Sequence, residues 1–219
     1  MALQYKLKAG GITNLTDARY FNALEADWLG FNLDVLAENS IGLQEAQAIK
    51  SWLFAPNIVL ECGHHQDKEE MVFLGNELEV AAVQVNWQHT ILMEETFLFP
   101  LMVVADFVDL ENDLFKKTID QNELTIETII LVWSENLDRN GFVWSDFKAG
   151  IPDFKKAIAR LKRQFTVLIE LPFEPDWMLE ALELLAPDGI HISTKREDAP
   201  GMSYVDEYDE LLALIELED

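Results

Sequence analysis

The stretch Lys8-Ala9-Gly10-Gly11-Ile12-Thr13-Asn14, followed by Asp17-Ala18-Arg19 and then Ala26-Asp27-Trp28-Leu29-Gly30-Phe31-Asn32, sets the pattern for the whole chain. A short apolar run over 5–9 leads into a segment of helical period over 15–25, which Asn14 or Thr16 can cap, and a second short run follows over 27–33. The unit is strand, helix, strand. It recurs to the end of the chain, with further strands expected over 57–62, 80–86, 97–105, 128–134, 165–171 and 189–193. Helices are expected between them over 43–54, 68–76, 88–95, 110–121, 152–163, 175–186 and 205–217. Pro175 with Asp176 opens the seventh, and Val205, Tyr208, Leu211, Leu212 and Ile215 give the last an apolar face opposite its carboxylates. Eight strands alternating with eight helices, at roughly 27 residues per unit, predict an α/β fold of the (β/α)8 TIM-barrel type near the lower end of its size range. No Ser/Gly linker or composition change divides residues 1–219, so a single domain is expected, with a doubly wound open sheet as the alternative.

Composition narrows the function classes. Of 219 residues 49% are hydrophobic, enough for a core that needs no disulfide or structural metal. Against 40 Asp plus Glu stand only 16 Lys plus Arg, a formal charge of -24, which repels nucleic-acid phosphates and anionic lipid. Neither is an expected partner. One cysteine, Cys62, cannot form an intramolecular disulfide, which fits a reducing, cytoplasmic setting. No signal-peptide pattern opens the chain, and the best apolar run, 97–105, is interrupted by Pro100 and followed by Asp106. A membrane span takes about 20 apolar residues. No membrane association is expected.

The opening motif resembles that of the phosphoribosylanthranilate isomerases, which typically read K-x-C-G-I-T-N, then D-A, then A-D-x-x-G-F-x-F over the same distance. The likeness continues in Val83-Gln84-Val85-Asn86 against V-Q-L-H, Phe142-Val143-Trp144 against F-D-W, and Pro187-Asp188-Gly189-Ile190-His191-Ile192-Ser193-Thr194 against P-x-G-V-D-V-S-S. Pro200-Gly201 followed by Asp206 is similar to a P-G-x-K-D before the last helix. The resemblance implies a TIM barrel of tryptophan biosynthesis catalysing an Amadori rearrangement of a phosphorylated aminoaldose. That chemistry takes an acid to open the ribose ring and a base to move the C2 proton.

In the resembled family the base is the Cys of K-x-C-G-I-T and the acid is an Asp at the end of strand six. Here the base position is Gly10, which cannot accept a proton, and the acid position falls near Trp133, in Ile129-Ile130-Leu131-Val132-Trp133-Ser134-Glu135. Glu135, Glu170 and His191 are the available substitutes. The S-x-R-Y arginine that pairs with the anthranilate carboxylate has no counterpart in Glu38-Asn39-Ser40-Ile41-Gly42, and Glu170-Leu171-Pro172-Phe173-Glu174-Pro175 replaces a glycine-rich phosphate cradle. Lys195 follows Ser193 and Thr194 where the family keeps a glycine. An indole at Trp133 is expected to fill part of the pocket. The reading is an isomerase-like barrel that has lost or exchanged its chemistry, and the alternative is a non-catalytic barrel for a small ligand or a protein partner.

Polar residues near strand ends, Lys8, Asn32, Gln84, Asn86, Ser193, Thr194 and Lys195, are the candidate ligand contacts for a small, phosphorylated sugar-like molecule. Glu61 belongs to the same ring, and His191 is expected to be a buried imidazole paired with Glu170 or Gln84. Cys62-Gly63-His64-His65 places a thiol and two imidazoles together, but a zinc site needs further ligands, such as Glu61, Asn86 or His191, and no second motif supplies them. An ordinary loop, no metal and no cofactor are expected. The chain is read as a monomer or homodimer.

Overall fold

β1 (Lys6–Gly10) hydrogen-bonds in parallel with β2 (Trp28–Asn32) on one side and with β8 (Gly189–Ser193) on the other. The sheet is therefore a closed ring. In the computed structural model, residues 4–37, 39–93, 97–133, 144–171, 175–194, 208, 209, 212 and 213 are described, with the backbone alone at 146, 175 and 176. Between β2 and β8 run β3 (Ile58–Glu61), β4 (Ala82–Asn86), β5 (Leu101–Asp106), β6 (Ile126–Val132) and β7 (Thr166–Glu170), each paired with its sequence neighbours. This is the (β/α)8 barrel expected from the alternation, and the open-sheet alternative is excluded.

Alternation along each strand sorts the side chains. Val59, Ala82, Met102, Ile130 and Leu168 pack together as a small cluster inside the ring, while the larger core lies between sheet and helices. Two residues further along each strand the same inward face carries Glu61, Gln84, Val104, Val132 and Glu170. The barrel is thus apolar in its middle layer and polar toward its C-terminal mouth.

The helices are α1 (Leu15–Ala23), α2 (Leu43–Lys50), α3 (Lys68–Leu78), α4 (Asp113–Gln121), α5 (Trp144–Leu161) and α6 (Pro175–Leu185). Asn14 is the N-cap of α1, its side chain accepting from the Asp17 amide at 2.8 Å. Three expectations fail. The helix foreseen over 88–95 is a short 3-10 turn, Thr90–Met93, and that over 110–121 is split into a 3-10 turn, Phe107–Glu111, and α4, because Asn112 caps a fresh start through Leu114. α5 begins at Trp144 rather than at Pro152, which lies inside it; Phe147 is fully buried against Phe107 and Trp133, and that packing holds the turns ahead of the proline. β5 also starts late, after Pro100, which has no N–H to give to the ladder. Of the helix over 205–217 only 208, 209, 212 and 213 fall among the described residues, where Tyr208 and Leu212 are buried. No helix among the described residues is long and apolar enough to cross a membrane.

At the foot of the barrel, residues at or just past the end of one helix fasten the end of a later one. Asn22 exchanges two hydrogen bonds with the Phe54 backbone, at 3.0 and 3.3 Å; Lys50 donates to Leu78 O at 2.6 Å; Lys162 donates to Ala186 O at 2.7 Å. The turns they hold place Glu25, Ala55, Glu79 and Ala186 at positive φ, between 45° and 56°. All four are non-glycine residues in the left-handed region.

Candidate active site

The mouth of the barrel is organised around a buried lysine. Lys8 on β1 is fully buried, and its Nζ lies 2.5 Å from Glu61 Oε1 on β3 and 3.3 Å from His191 Nε2 on β8. Lys8 and Glu61 stand on either side of β2, so their side chains meet only by passing over Gly30, which has none. A Cβ on Gly30 would overlap the Glu61 carboxylate. The second Glu61 oxygen accepts from the Gly11 amide at 2.9 Å. Each buried charge therefore has a partner.

His191 links this pair to the next strand. Its Nδ1 is 3.0 Å from Glu170 Oε2, an ion-pair contact and not an aligned hydrogen bond. Burial pushes the Glu170 carboxyl up, but the adjacent His191, the Ser193 hydroxyl and the charge of Lys8 outweigh it and hold the group below the usual carboxylate value. Glu170 is thus an ionised carboxylate at neutral pH, with its side chain 23% exposed toward the mouth. A depressed pKa makes it a weak base, and its carboxylate opens on the mouth beside Ser193.

Gly10 and Trp133, the residues that the sequence reading aligns with the base and the acid of the resembled family, sit in different surroundings. Gly10 has no side chain, and the space a side chain would enter is taken, for a Cβ there would stand 2.5 Å from both Glu61 Oε1 and His191 Nε2. At the end of β6 the inward residue is Val132, paired with Asp106 and Glu170 across the neighbouring strands. Trp133, the next residue, packs outward against Phe107 and Phe147, with ring centroids at 6.3 and 5.0 Å. The expectation that the indole fills the pocket gives way to this alternation, and the inward residue beside it is aliphatic.

The other sequence candidates separate. Thr194 is buried and donates to Gly11 O at 2.7 Å, so its hydroxyl is committed inside the fold. Lys8 is likewise committed to Glu61. Ser193 is exposed beside Glu170, while Asn32 bonds Asn39 at 3.1 Å and caps the turn at Asp34. Asn86 accepts from the Gln88 amide at 3.0 Å, and Gln84 keeps a buried side-chain oxygen with no protein partner among the described residues. Glu135 and Lys195 lie outside the described residues. What sequence reading missed is the role of Glu61 as the partner of Lys8; the signal was the pair of inward glycines, Gly10 and Gly30, which leave room for its carboxylate.

The Cys62 loop has its own arrangement. His65 pairs with Asp34 at 3.2 Å, and His89 contacts Gly63 O at 3.2 Å and stacks on His64. Among the described residues no three His, Cys, Asp or Glu side chains converge to hold a metal ion. Burial first, then the nearby Glu70, Glu61 and Asp34, pushes the Cys62 thiol up, which keeps it protonated and poorly nucleophilic.

Comparison with known proteins follows the same line. No family model matches the chain. It is 25% identical to the N-(5'-phosphoribosyl)anthranilate isomerase of Leptospira interrogans over 202 residues, covering 90% of this chain and 88% of that one. The solved phosphoribosyl anthranilate isomerase of Thermotoga maritima superposes with a TM-score of 0.71 at 19% identity, covering 96% of this chain and 98% of that one. A phosphoribosyl anthranilate isomerase in complex with reduced 1-(o-carboxyphenylamino)-1-deoxyribulose 5-phosphate gives 0.65 at 18%, with the same coverage. The chain is a TIM barrel that is similar in sequence and fold to phosphoribosylanthranilate isomerases.

Proposed function

We propose, for a barrel that resembles phosphoribosylanthranilate isomerases along nine-tenths of its length, that it no longer performs their Amadori rearrangement and serves instead as a small-ligand barrel. The observation that carries this reading is at Gly10, where the proton-accepting side chain is missing and its place is filled by Glu61 and His191. Val132 offers no acid across the mouth. Losing a base and an acid that each contribute about 10²- to 10⁴-fold leaves little of the rate enhancement.

Glu170 remains as a base, with Ser193 beside it, on the β7–β8 side. The ligand class that the likeness favours is a small phosphorylated sugar, with Ser193 as its described contact. A proton acceptor facing an aliphatic Val132 supports binding or one-sided proton transfer better than a reaction that needs both an acid and a base.

A second reading, a barrel that binds another protein, is favoured by exposed Val35, Leu36, Met93 and Val108, which follow β2, β4 and β5 on the mouth side. Complementation separates the first reading from a working isomerase. A tryptophan auxotroph lacking the isomerase should stay unable to grow when it expresses this chain, and growth at the rate given by the Leptospira enzyme would refute the proposal.

A further inference from the structure

Glu61 sits in surroundings that proteins build around small anions. The Lys8 ammonium donates to Oε1 at 2.5 Å and the Gly11 backbone N–H donates to Oε2 at 2.9 Å. Gly10 and Gly30, on adjacent strands, leave the space that the carboxylate occupies, since a Cβ on either would press into it. His191 closes the remaining side, its Nε2 3.3 Å from Lys8 Nζ. Lys8 is fully buried and Glu61 is 7% exposed. A cation, a backbone donor and two absent side chains are the parts of a carboxylate-recognition site.

We propose that this corner of the mouth is a carboxylate-binding seat filled from within, with Glu61 as its built-in occupant. An ordinary buried ion pair would need only Lys8 and Glu61. The seat also uses the Gly11 amide and the two glycines, so it should accept a free carboxylate once its own is removed. In the intact protein the seat is taken, and a ligand's anionic group must be received elsewhere in the mouth. This role does not depend on which ligand the mouth takes.

Glu61→Ala removes one methylene and the carboxylate, which together have the heavy-atom count and shape of acetate. In the full chain E61A should melt below the wild type, and about 100 mM sodium acetate should recover roughly half or more of the lost Tm, whereas sodium chloride at equal ionic strength should not. Neither the wild type nor K8M/E61A should respond to acetate. If E61A does not fold unaided, acetate in the refolding buffer should restore soluble protein. Glycine at 30 gives a second readout: a Cβ there would strike both the Glu61 carboxylate and the end of the Lys8 side chain, so G30A should lower the Tm of the wild type markedly and that of E61A less, because there the carboxylate is gone and the freed lysine can shift. Acetate that has no selective effect on E61A, a rescue that persists in K8M/E61A, or equal G30A effects in both backgrounds would overturn the proposal.

Discussion

Glu61 Oε1 lies 2.5 Å from the point where a Cβ on Gly10 would stand, so the carboxylate from β3 fills the space that a side chain on β1 would need. A cysteine introduced at that position therefore enters a corner that is already occupied. G10C should destabilise the fold by about 1–3 kcal/mol through overpacking, measured by urea denaturation, and should add no isomerase activity. A G10C protein as stable as the wild type would show that Glu61 and His191 move aside freely.

The Lys8–Glu61 pair should behave as a unit. K8M leaves a buried carboxylate without its cation and should cost about 3–5 kcal/mol, whereas K8M/E61Q, which keeps an acceptor for the Gly11 amide, should cost less than K8M alone. Denaturation midpoints of the wild type, both single variants and the double variant give the coupling directly. Additive costs would mean that the two charges are solvated independently.

Glu170 links stability to acid. Its folded pKa is depressed, so its stabilising contribution is fully present above the unfolded-state value near 4.5 and is lost as pH falls through the lower, folded value. Protonation is favoured in the unfolded chain first, and the wild type should lose stability below about pH 4.5 more steeply than E170Q does. Parallel pH dependences of Tm for the two proteins would remove Glu170 from that role.

The barrel, its strand order and the ring of polar residues at the mouth were legible because alternation of period 2 and helical period are written in single residues such as Glu61, Gln84 and Glu170. What was not legible came from packing between distant segments. Burial of Phe147 against Phe107 extends α5 ahead of Pro152, and a one-residue step in β6 turns Trp133 outward and Val132 inward. The Glu61 seat joins three strands, and no local pattern around Cys62 points to it.

The foot of the barrel offers a stability test that leaves the mouth untouched. Lys162 fastens the end of α6 through Ala186 O and also pairs with Asp188 at 3.0 Å, so Lys162→Met should cost about 1 kcal/mol. Ala55, exposed and at φ 45°, should gain about 0.5–1 kcal/mol on replacement by glycine, which adopts that conformation freely. Thermal or urea unfolding reads both, and a stabilising Lys162→Met or a destabilising Ala55→Gly would contradict the assignment.

Cys62 should be silent toward thiol reagents in the folded protein. With its thiol held protonated, Cys62 should react with iodoacetamide at neutral pH far more slowly than a free thiol, and faster as urea populates the unfolded chain. Rapid labelling without denaturant would reveal an activated thiolate.

The most direct measurement is turnover of phosphoribosylanthranilate by the purified chain, alongside the Leptospira isomerase. On the proposed reading, in which Gly10 and Val132 leave the mouth without the acid and base of the resembled family, turnover should fall about 10⁴-fold or more below that of the Leptospira enzyme at every substrate concentration. Saturable turnover that disappears in E170Q would contradict this account and make Glu170 the base of a working isomerase.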